Sequence, residues 1–160
     1  MDRISIIMGS QSDLEIVQEA VDLLKEFQVN CQVKVLSAHR TPKELVDYIE
    51  SASKADTKVF IAAAGGAAAL AGVVAAHTTL PVIGIPIETK SLKGLDSLLS
   101  TVQMPAGIPV AAMAIGKAGA KNAALFALEI LAIRDNKIKS KLIKYRQDMR
   151  AKIRKIKIKV

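Results

Sequence analysis

Two patterns of hydrophobic and polar residues alternate along the chain. Short segments are apolar at almost every position, which is typical of buried strands, and longer segments repeat apolar residues every three or four positions, as amphipathic helices do. The short segments predict strands near Arg3–Met8, Gln32–Leu36, Lys58–Ala63, Val82–Ile87 and Val110–Ile115. The periodic segments predict helices near Asp13–Phe27, Pro42–Ser53, Ala67–His77, Lys93–Val102 and Gly119–Ile133.

This alternation also predicts the fold class. Strands that are apolar throughout, each followed by a helix, indicate a parallel sheet covered on both faces. We therefore expect an α/β protein: a three-layer α/β/α sandwich with a parallel, flavodoxin-like or Rossmann-like sheet and a C-terminal helical tail. A length of 160 residues suits a single domain over 1–160, with enough core to fold without disulfides.

Composition narrows the class of protein further. The one cysteine, Cys31, lies in an apolar segment and is expected to pack as a small hydrophobic residue. Met1 leads directly into the first apolar segment without the pattern of a signal peptide, and no apolar run is long enough to span a membrane. We therefore expect a cytoplasmic protein with no membrane partner.

The net charge of +8 originates in the C-terminal tail. Residues 134–160 contain 12 Lys or Arg and 2 Asp or Glu, a net charge of +10, whereas residues 1–133 have a net charge of −2. Apolar residues recur in this tail at helical spacing, which predicts a basic amphipathic helix docked on this or another subunit. Binding to a polyanion is the alternative, but aromatic residues make up only 3% of the chain, which argues against nucleic acid as a partner. The recurring apolar residues are Ile138, Leu142, Tyr145, Met149, Ile153 and Ile156.

Candidate chemistry first appears in the connection after the second predicted strand. There His39 stands beside Arg40, and the following Thr41 is placed to cap a helix, with Glu44 three residues later in capping-box position. Open α/β sheets bind ligands beyond the carboxyl ends of their strands. A His-Arg pair at such a connection, which begins at Ser37, therefore indicates an enzyme.

Two further connections are expected to converge on the same edge. After the first strand, Gly9 permits a tight turn, and Ser10 and Ser12 offer hydroxyls near a helix start that favours an anion. Asp13 is either the N-cap of that helix or a site residue, and its spacing does not decide between them. After the third strand, Gly65-Gly66 allows a ligand to approach the backbone. Together the connections predict a pocket for a phosphorylated, polar small molecule.

Other chemistries are easier to exclude than to assign. The chain has only two histidines, no cysteine pair and no carboxylate cluster at ligand spacing, which argues against a metal site. It also lacks a Walker sequence and a dinucleotide fingerprint. His77 follows a run of Ala and Val and is predicted to end a helix. His39 is therefore the candidate proton carrier, because imidazole titrates near neutrality.

Six segments of the chain match one enzyme family in order and with fitting spacing. They are Met8-Gly9-Ser10-Gln11-Ser12-Asp13, Ser37 to Pro42, Gly65-Gly66-Ala67-Ala68, Gly94-Leu95-Asp96-Ser97-Leu98, Val102 to Val110 and Ala114-Ile115-Gly116. So many ordered matches are more specific than any single motif. Over about residues 4–133 the chain closely resembles the bacterial-type 5-(carboxyamino)imidazole ribonucleotide mutases of purine synthesis.

The resemblance implies an isomerase that needs no metal, nucleotide or organic cofactor. The family moves a carboxylate from the exocyclic amine of an imidazole ribonucleotide to carbon 4 of its ring, through released and recaptured carbon dioxide. The resemblance implies that Ser10, Asp13 and Arg40 contact the ribonucleotide and that His39 is the acid and base. The remaining expected substrate-binding residues are Gly9, Ser12, Ser37, Gly65, Gly66 and Ala67. It also implies a homo-octamer whose tail helix packs on a neighbouring subunit.

Two alternatives to the mutase stay open. Related carboxylases that use free carbon dioxide typically carry Ser-Ala-His-Lys and Gly-Arg-Ser-Asn where this chain has Arg40 and Gly66-Ala67-Ala68, so the mutase is preferred. The second alternative is a catalytically weakened ribonucleotide-binding relative. It rests on Ala69 and Ala71, which replace a histidine and a proline of the family pattern Gly-Gly-Ala-Ala-His-Leu-Pro-Gly.

Overall fold

The computed structural model describes residues 3–158 and contains a five-stranded parallel sheet with the strand order β2-β1-β3-β4-β5. This is the order of flavodoxin-like folds, and the predicted α/β sandwich is confirmed. The strands are β1 Ile4–Met8, β2 Cys31–Val35, β3 Val59–Gly65, β4 Val82–Ile87 and β5 Ala111–Ala112. The helices are α1 Leu14–Glu26, α2 Pro42–Lys54, α3 Leu70–Ala76, α4 Leu95–Val102, α5 Lys117–Ala132 and α6 Asn136–Arg154.

The sheet separates two hydrophobic cores because successive strand residues point to opposite faces. From β1, Ile4, Ile6 and Met8 pack with α1 and α5, and Ile7 packs with α2 and α3. Ser5, on the same face as Ile7, is buried and satisfies its hydroxyl on the Tyr48 hydroxyl of α2 at 2.7 Å. Helices therefore cover both faces, and β1 and β3 lie in the middle of the sheet.

Two elements are each four residues shorter than the sequence predicts. The predicted strand over Val110–Ile115 pairs with β4 only at Ala111 and Ala112. The predicted helix over Ala67–His77 begins only at Leu70, because Gly66 takes a φ of +68° and turns the chain before the helix starts. Both differences lie where the backbone leaves the regular pattern of hydrogen bonds, which apolar periodicity does not encode.

The tail helix docks in its first half on its own subunit. Asp135 caps α6 by accepting hydrogen bonds from the first-turn amides, and Ile138 and Leu142 are buried in the core with α1 and α5. The Tyr145 ring lies 5.7 Å from that of Phe27. Of the two expected alternatives, docking on this or on another subunit, the first half of α6 therefore shows the former, since α5 and the end of α1 cover Ile138 and Leu142. Packing of the tail on a neighbouring subunit stays a prediction.

The second half of the tail extends away from this core. Its apolar residues Met149, Ile153 and Ile156 are 43%, 69% and 65% exposed. The predicted helix over 134–160 ends at Arg154, and Lys159 and Val160 lie outside the described residues. Within residues 3–158, no helix is both long and apolar enough to cross a lipid bilayer.

Candidate functional site

A cleft of about 490 Å³ opens at the carboxyl edge of the sheet, between the ends of β1 and β3. Chain connections leave β1 in opposite directions here, with β2 on one side and β3 on the other, which is the switch point where such sheets bind ligands. The three predicted connections meet there, and every predicted site residue except Gly66 lines the cleft. The lining residues are Gly9, Ser10, Ser12, Asp13, Ser37, Ala38, His39, Arg40, Ala64, Gly65, Ala67, Ala68, Ala69 and Leu70.

The first connection is folded around the Ser10 hydroxyl. After Gly9, whose amide donates to the Ala63 carbonyl of β3 at 3.1 Å, residues Gln11–Asp13 form one turn of 3-10 helix. The Ser10 Oγ accepts from the Ser12 amide at 3.3 Å and lies 2.9 Å from the Ser12 Oγ. This arrangement places two hydroxyls at the mouth of the cleft, directly before α1.

Asp13 holds a carboxylate that is only 7% exposed in this connection. Burial raises the pKa of Asp13, while the Ser12 hydroxyl, the Ser10 backbone and the nearby Arg40 charge oppose that rise. Asp13 stands at the N-cap position of α1, yet its side chain accepts from Ser12 Oγ at 3.2 Å and makes no capping bond. Asp13 therefore occupies the N-cap position without capping the helix through its side chain, and its role in the site stays a prediction.

The second connection is closed by Thr41 against Ser37. The Thr41 Oγ1 accepts from the Ser37 amide at 2.9 Å, and the Thr41 amide donates to the Ser37 carbonyl at 3.0 Å. The predicted capping box of Thr41 and Glu44 is wrong, because the threonine hydroxyl is turned back into the loop and makes no capping bond to α2. The loop residues between them, Ala38 to Arg40, are thereby presented to the cleft.

Arg40 and His39 differ in how they are held. The Arg40 guanidinium donates to the Gly9 carbonyl at 2.9 Å and to the Ser37 Oγ at 3.4 Å, so it joins the first two connections. His39 is exposed, and its imidazole makes no hydrogen bond within residues 3–158. Both ring nitrogens of His39 are therefore available to a bound ligand.

The first two connections form one side of the cleft. We call residues 9–13 and 37–40 the polar wall.

The third connection supplies the opposite wall, residues 64–70, which we call the alanine wall. Its side chains in the cleft are methyl groups, apart from Leu70. The Gly66 amide donates to the Ser97 Oγ of α4 at 2.9 Å, so the peptide of Gly66 is turned away from the cleft. The expectation that Gly66 binds substrate is not supported by this placement, whereas its neighbours Gly65 and Ala67 do line the cleft.

Some parts of the site are less evident from the sequence. Ala68, Ala69 and Leu70 belong to the third predicted connection and line the cleft, although the helical pattern also includes them. Ser97 is fully buried behind the alanine wall, in a segment whose pattern indicated only a helix. No local signal connects residue 97 with residue 66, since they meet only when α4 packs beside β3 and β4.

The other histidine lies elsewhere, as predicted. His77 is the C-cap residue of α3 and lines a wider depression of about 780 Å³ together with residues that precede β4 and β5. That depression is at the amino ends of the strands, away from the switch point. The described residues, 3–158, contain no group of three His, Cys, Asp or Glu able to hold a metal ion.

The cleft combines groups for binding an anion with a group for moving a proton. Arg40 and the hydroxyls of Ser10 and Ser12 suit an anionic ligand, Asp13 suits a hydroxyl donor, and His39 suits proton transfer. The fold and this site define an α/β enzyme that acts on a polar small molecule at its switch point.

Comparisons with known proteins identify the family. Residues 3–152 match the family model described as AIR carboxylase, and the chain belongs to this family. It is 59% identical over 150 residues to the N5-carboxyaminoimidazole ribonucleotide mutase of Methanocaldococcus jannaschii, covering 94% of this chain and 92% of the relative. The corresponding mutase of Bacillus subtilis is 53% identical over 145 residues, covering 91% and 90% of the two chains.

Solved structures agree with this assignment. The crystal structure of Treponema denticola PurE superimposes with a TM-score of 0.86 at 30% identity, covering 94% of this chain and 92% of that one. The resemblance drawn from the six sequence segments is thus confirmed at the level of the family.

Proposed function

We propose that this protein converts 5-(carboxyamino)imidazole ribonucleotide into 4-carboxy-5-aminoimidazole ribonucleotide, an isomerisation in purine (IMP) synthesis. The names of the relatives support the reaction, and one observation in this chain carries it: the free imidazole of His39 lies in the same cleft as Ser10, Asp13 and Arg40. The reaction needs an anion site, a hydroxyl acceptor and one proton carrier, and these residues supply all three.

The polar wall binds the ribonucleotide in this proposal. Arg40 and the hydroxyls of Ser10 and Ser12 take the phosphate, because a guanidinium presents a planar set of donors that fits phosphate oxygens. Asp13 accepts a hydrogen bond from a ribose hydroxyl, since a carboxylate beside a phosphate is repelled. Gly9, Ser37, Gly65 and Ala67 line the space between, where the backbone approaches the ligand closely.

His39 handles the one proton that the reaction moves. As the bond between the exocyclic nitrogen and the carboxylate breaks, carbon dioxide leaves and protonated His39 gives its proton to that nitrogen. Carbon 4 of the ring then bonds to the carbon dioxide, and neutral His39 removes the proton from carbon 4. Atoms and charge balance without a co-reactant. The alanine wall offers no nucleophile to trap the gas, and recapture is favoured when carbon dioxide stays beside carbon 4.

A direct assay tests this proposal. Purified protein is mixed with 5-(carboxyamino)imidazole ribonucleotide without ATP, and the carboxylated product is followed over time. The comparison reaction supplies aminoimidazole ribonucleotide with bicarbonate. We expect rapid product from the first mixture only. Product formed faster in the second mixture would identify a carboxylase that uses free carbon dioxide.

One observation keeps a second candidate function open. Ala69 lines the cleft at the position where the family resemblance places a histidine. A site that binds ribonucleotide without turning it over would be a catalytically weakened relative. In the assay above, tight binding with no product from either mixture would identify this binder.

We also propose that the protein works as a cytoplasmic homo-oligomer, an octamer, with no membrane or nucleic-acid partner. The family resemblance supports the octamer. An apolar stripe on α4 supports an interface, because Leu95, Leu99 and Val102 recur at helical spacing and are 52%, 47% and 49% exposed. Leu92 extends this stripe at 56% exposure.

Light scattering tests the assembly. Changing Leu95 and Leu99 to Asp should reduce the particle to smaller species, because a covered apolar stripe would then bury unpaired charge. Neutralising Lys152, Lys155 and Lys157 in the tail is the matched control and should leave the mass unchanged. An octamer that survives the paired Asp substitutions would exclude this stripe as an interface. An RNA affinity lost only in the tail variant, falling steeply with salt, would instead support nucleic-acid binding.

A further inference from the structure

A buried hydroxyl on α4 holds the alanine wall from behind. Ser97 has no exposed surface, and its Oγ donates to the Ile87 carbonyl at the end of β4 at 2.7 Å. The same oxygen accepts from the Gly66 amide at 2.9 Å. A single hydroxyl therefore links the last residue of β4 to the turn that follows β3, using its one proton and one of its lone pairs.

Gly66 is the central residue of a turn whose two flanks face the cleft. Gly65 and Ala67 line the cleft on either side of it, while Gly66 itself turns toward α4 with a φ of +68°. The Gly66 carbonyl accepts from the Ala68 amide at 2.8 Å and lies 3.4 Å from the Ser100 Oγ. Gly66, in the middle of the turn, is thus hydrogen-bonded to α4. The positions of Gly65 and Ala67 on either side depend on this bond.

We propose that Ser97 is a positioning residue for the reaction: its hydroxyl fixes the Gly66 turn and thereby sets the distance between the alanine wall and the substrate ring. This inference rests on the proposed function for the identity of the substrate. Ser97 touches no ligand in this scheme and acts only through Gly66. Its loss should therefore affect the geometry of the reacting groups more than the binding of the phosphate, which is held on the polar wall.

A neighbouring residue provides a matched control. Thr101 is also buried on α4, but its Oγ1 donates to the Ser97 carbonyl at 2.8 Å. Thr101→Val removes a buried hydroxyl of the same helix and leaves the Ser97 hydroxyl in place. Ser97→Ala removes the tie itself, so the difference between the two variants isolates the link to Gly66.

The experiment measures turnover, KM and the exchange rate of the Gly66 amide proton in both variants. For Ser97→Ala we expect kcat to fall about tenfold or more, because small displacements of a substrate wall slow a positioned reaction, with KM changed less than about threefold. The Gly66 amide should exchange at least about tenfold faster, since it loses its acceptor. Thr101→Val should keep kcat within about twofold and leave the Gly66 exchange unchanged.

Two results would overturn the inference. One is a Ser97→Ala enzyme whose kcat stays within twofold of the unmodified protein, and the other is an equal loss of kcat in Thr101→Val. Where Ser97→Ala does not fold, Ser97→Cys keeps the size and weakens the hydrogen bonds, and the same comparison applies. An unmodified protein that is inactive on the carboxyamino ribonucleotide, with a protected Gly66 amide, would instead indicate failure of the proposed function.

Discussion

The two walls of the cleft differ in chemistry. The polar wall presents charged groups and hydroxyls from two short segments of the chain, whereas the alanine wall presents methyl groups and backbone from a single segment. The polar wall is held by bonds among its own residues, such as Arg40 to Gly9 and Ser12 to Ser10. The alanine wall is also held from outside, by Ser97 of α4. We therefore expect the polar wall to bind the substrate and move the proton, and the alanine wall to set the shape of the cleft. Substitutions on the two walls should produce different kinetic defects.

Among substitutions in the two walls, we expect one at His39 to lower turnover most. His39→Asn should lower turnover at least about a hundredfold, the usual contribution of a positioned acid or base, with ribonucleotide affinity nearly unchanged. The physical reason is that an amide cannot carry the proton between nitrogen and carbon 4. Steady-state kinetics with the carboxyamino ribonucleotide, alongside calorimetric binding, separates the two quantities.

The chain offers a matched control for this change in His77. It is exposed and lies at the amino ends of the strands. His77→Asn should leave turnover unchanged. Near-normal turnover in His39→Asn would remove His39 from the mechanism.

Arg40 should show the opposite defect, in affinity. Arg40→Ala should weaken ribonucleotide binding by about tenfold to a hundredfold, because a charge-assisted hydrogen bond contributes about 1.5–3 kcal/mol. Arg40→Lys should recover only part of this, since a point charge does not reproduce the planar guanidinium. Arg150→Ala, at an exposed position on the tail, is the control. Equal affinity of the unmodified protein for phosphorylated and dephosphorylated ligand would contradict the phosphate assignment.

Sequence patterns predicted the polar wall well because its chemistry is local. Ser10, Asp13, His39 and Arg40 each follow an apolar strand segment within a few residues, and parallel strands bring their carboxyl ends to one edge. The order of the strands in the sheet is harder to predict from the sequence, because periodicity identifies the strands but not which strands pair with each other. The family resemblance supplied what the pattern could not, namely the substrate and the roles proposed for the site side chains.

The alanine wall shows what sequence patterns could not reach. A run of alanines is compatible with a helix start, and the predicted helix accordingly begins at Ala67, although the family resemblance also makes Ala67 an expected substrate-binding residue. The left-handed Gly66 and its bond to Ser97 are tertiary facts that join residues 31 positions apart. The capping role of Thr41 was wrongly predicted for a different, local reason: its hydroxyl bonds to Ser37 inside its own loop.

Ala69 tests whether the alanine wall takes part in chemistry or only shapes the cleft. Ala69→His restores the residue of the family pattern and should raise turnover by up to about tenfold, equivalent to about 1.4 kcal/mol in the barrier. Ala69→Leu adds bulk without an imidazole and should lower turnover instead. A rise of a thousandfold with Ala69→His would show that His39 alone is not the proton carrier and that the unmodified protein is a weakened relative.

A substitution at Asp13 should have the smallest effect of those predicted here, and the affected property is the stability of the fold. Burial raises the pKa of Asp13, so the folded protein takes up its proton at a higher pH than the unfolded chain does. Stability from this group is therefore present below the ordinary pKa of 3.8 and is lost as pH rises toward the raised value. At neutral pH the buried, charged carboxylate therefore lowers the stability of the folded protein. Asp13→Asn should consequently raise the melting midpoint at pH 7, because the neutral amide removes the unfavourable burial of the Asp13 charge.

The pH dependence of that gain separates it from a general effect of the substitution. The difference in midpoint between Asp13→Asn and the unmodified protein should shrink as pH falls toward 3.8, because the unmodified carboxyl then becomes neutral. Asp47→Asn is the control, since Asp47 forms an exposed ion pair with Lys43 and should give no gain at pH 7. The stabilised Asp13→Asn variant should bind ribonucleotide more weakly, because the neutral amide is a poorer acceptor for a ribose hydroxyl. A gain that is independent of pH would show that burial of the Asp13 charge is not its cause.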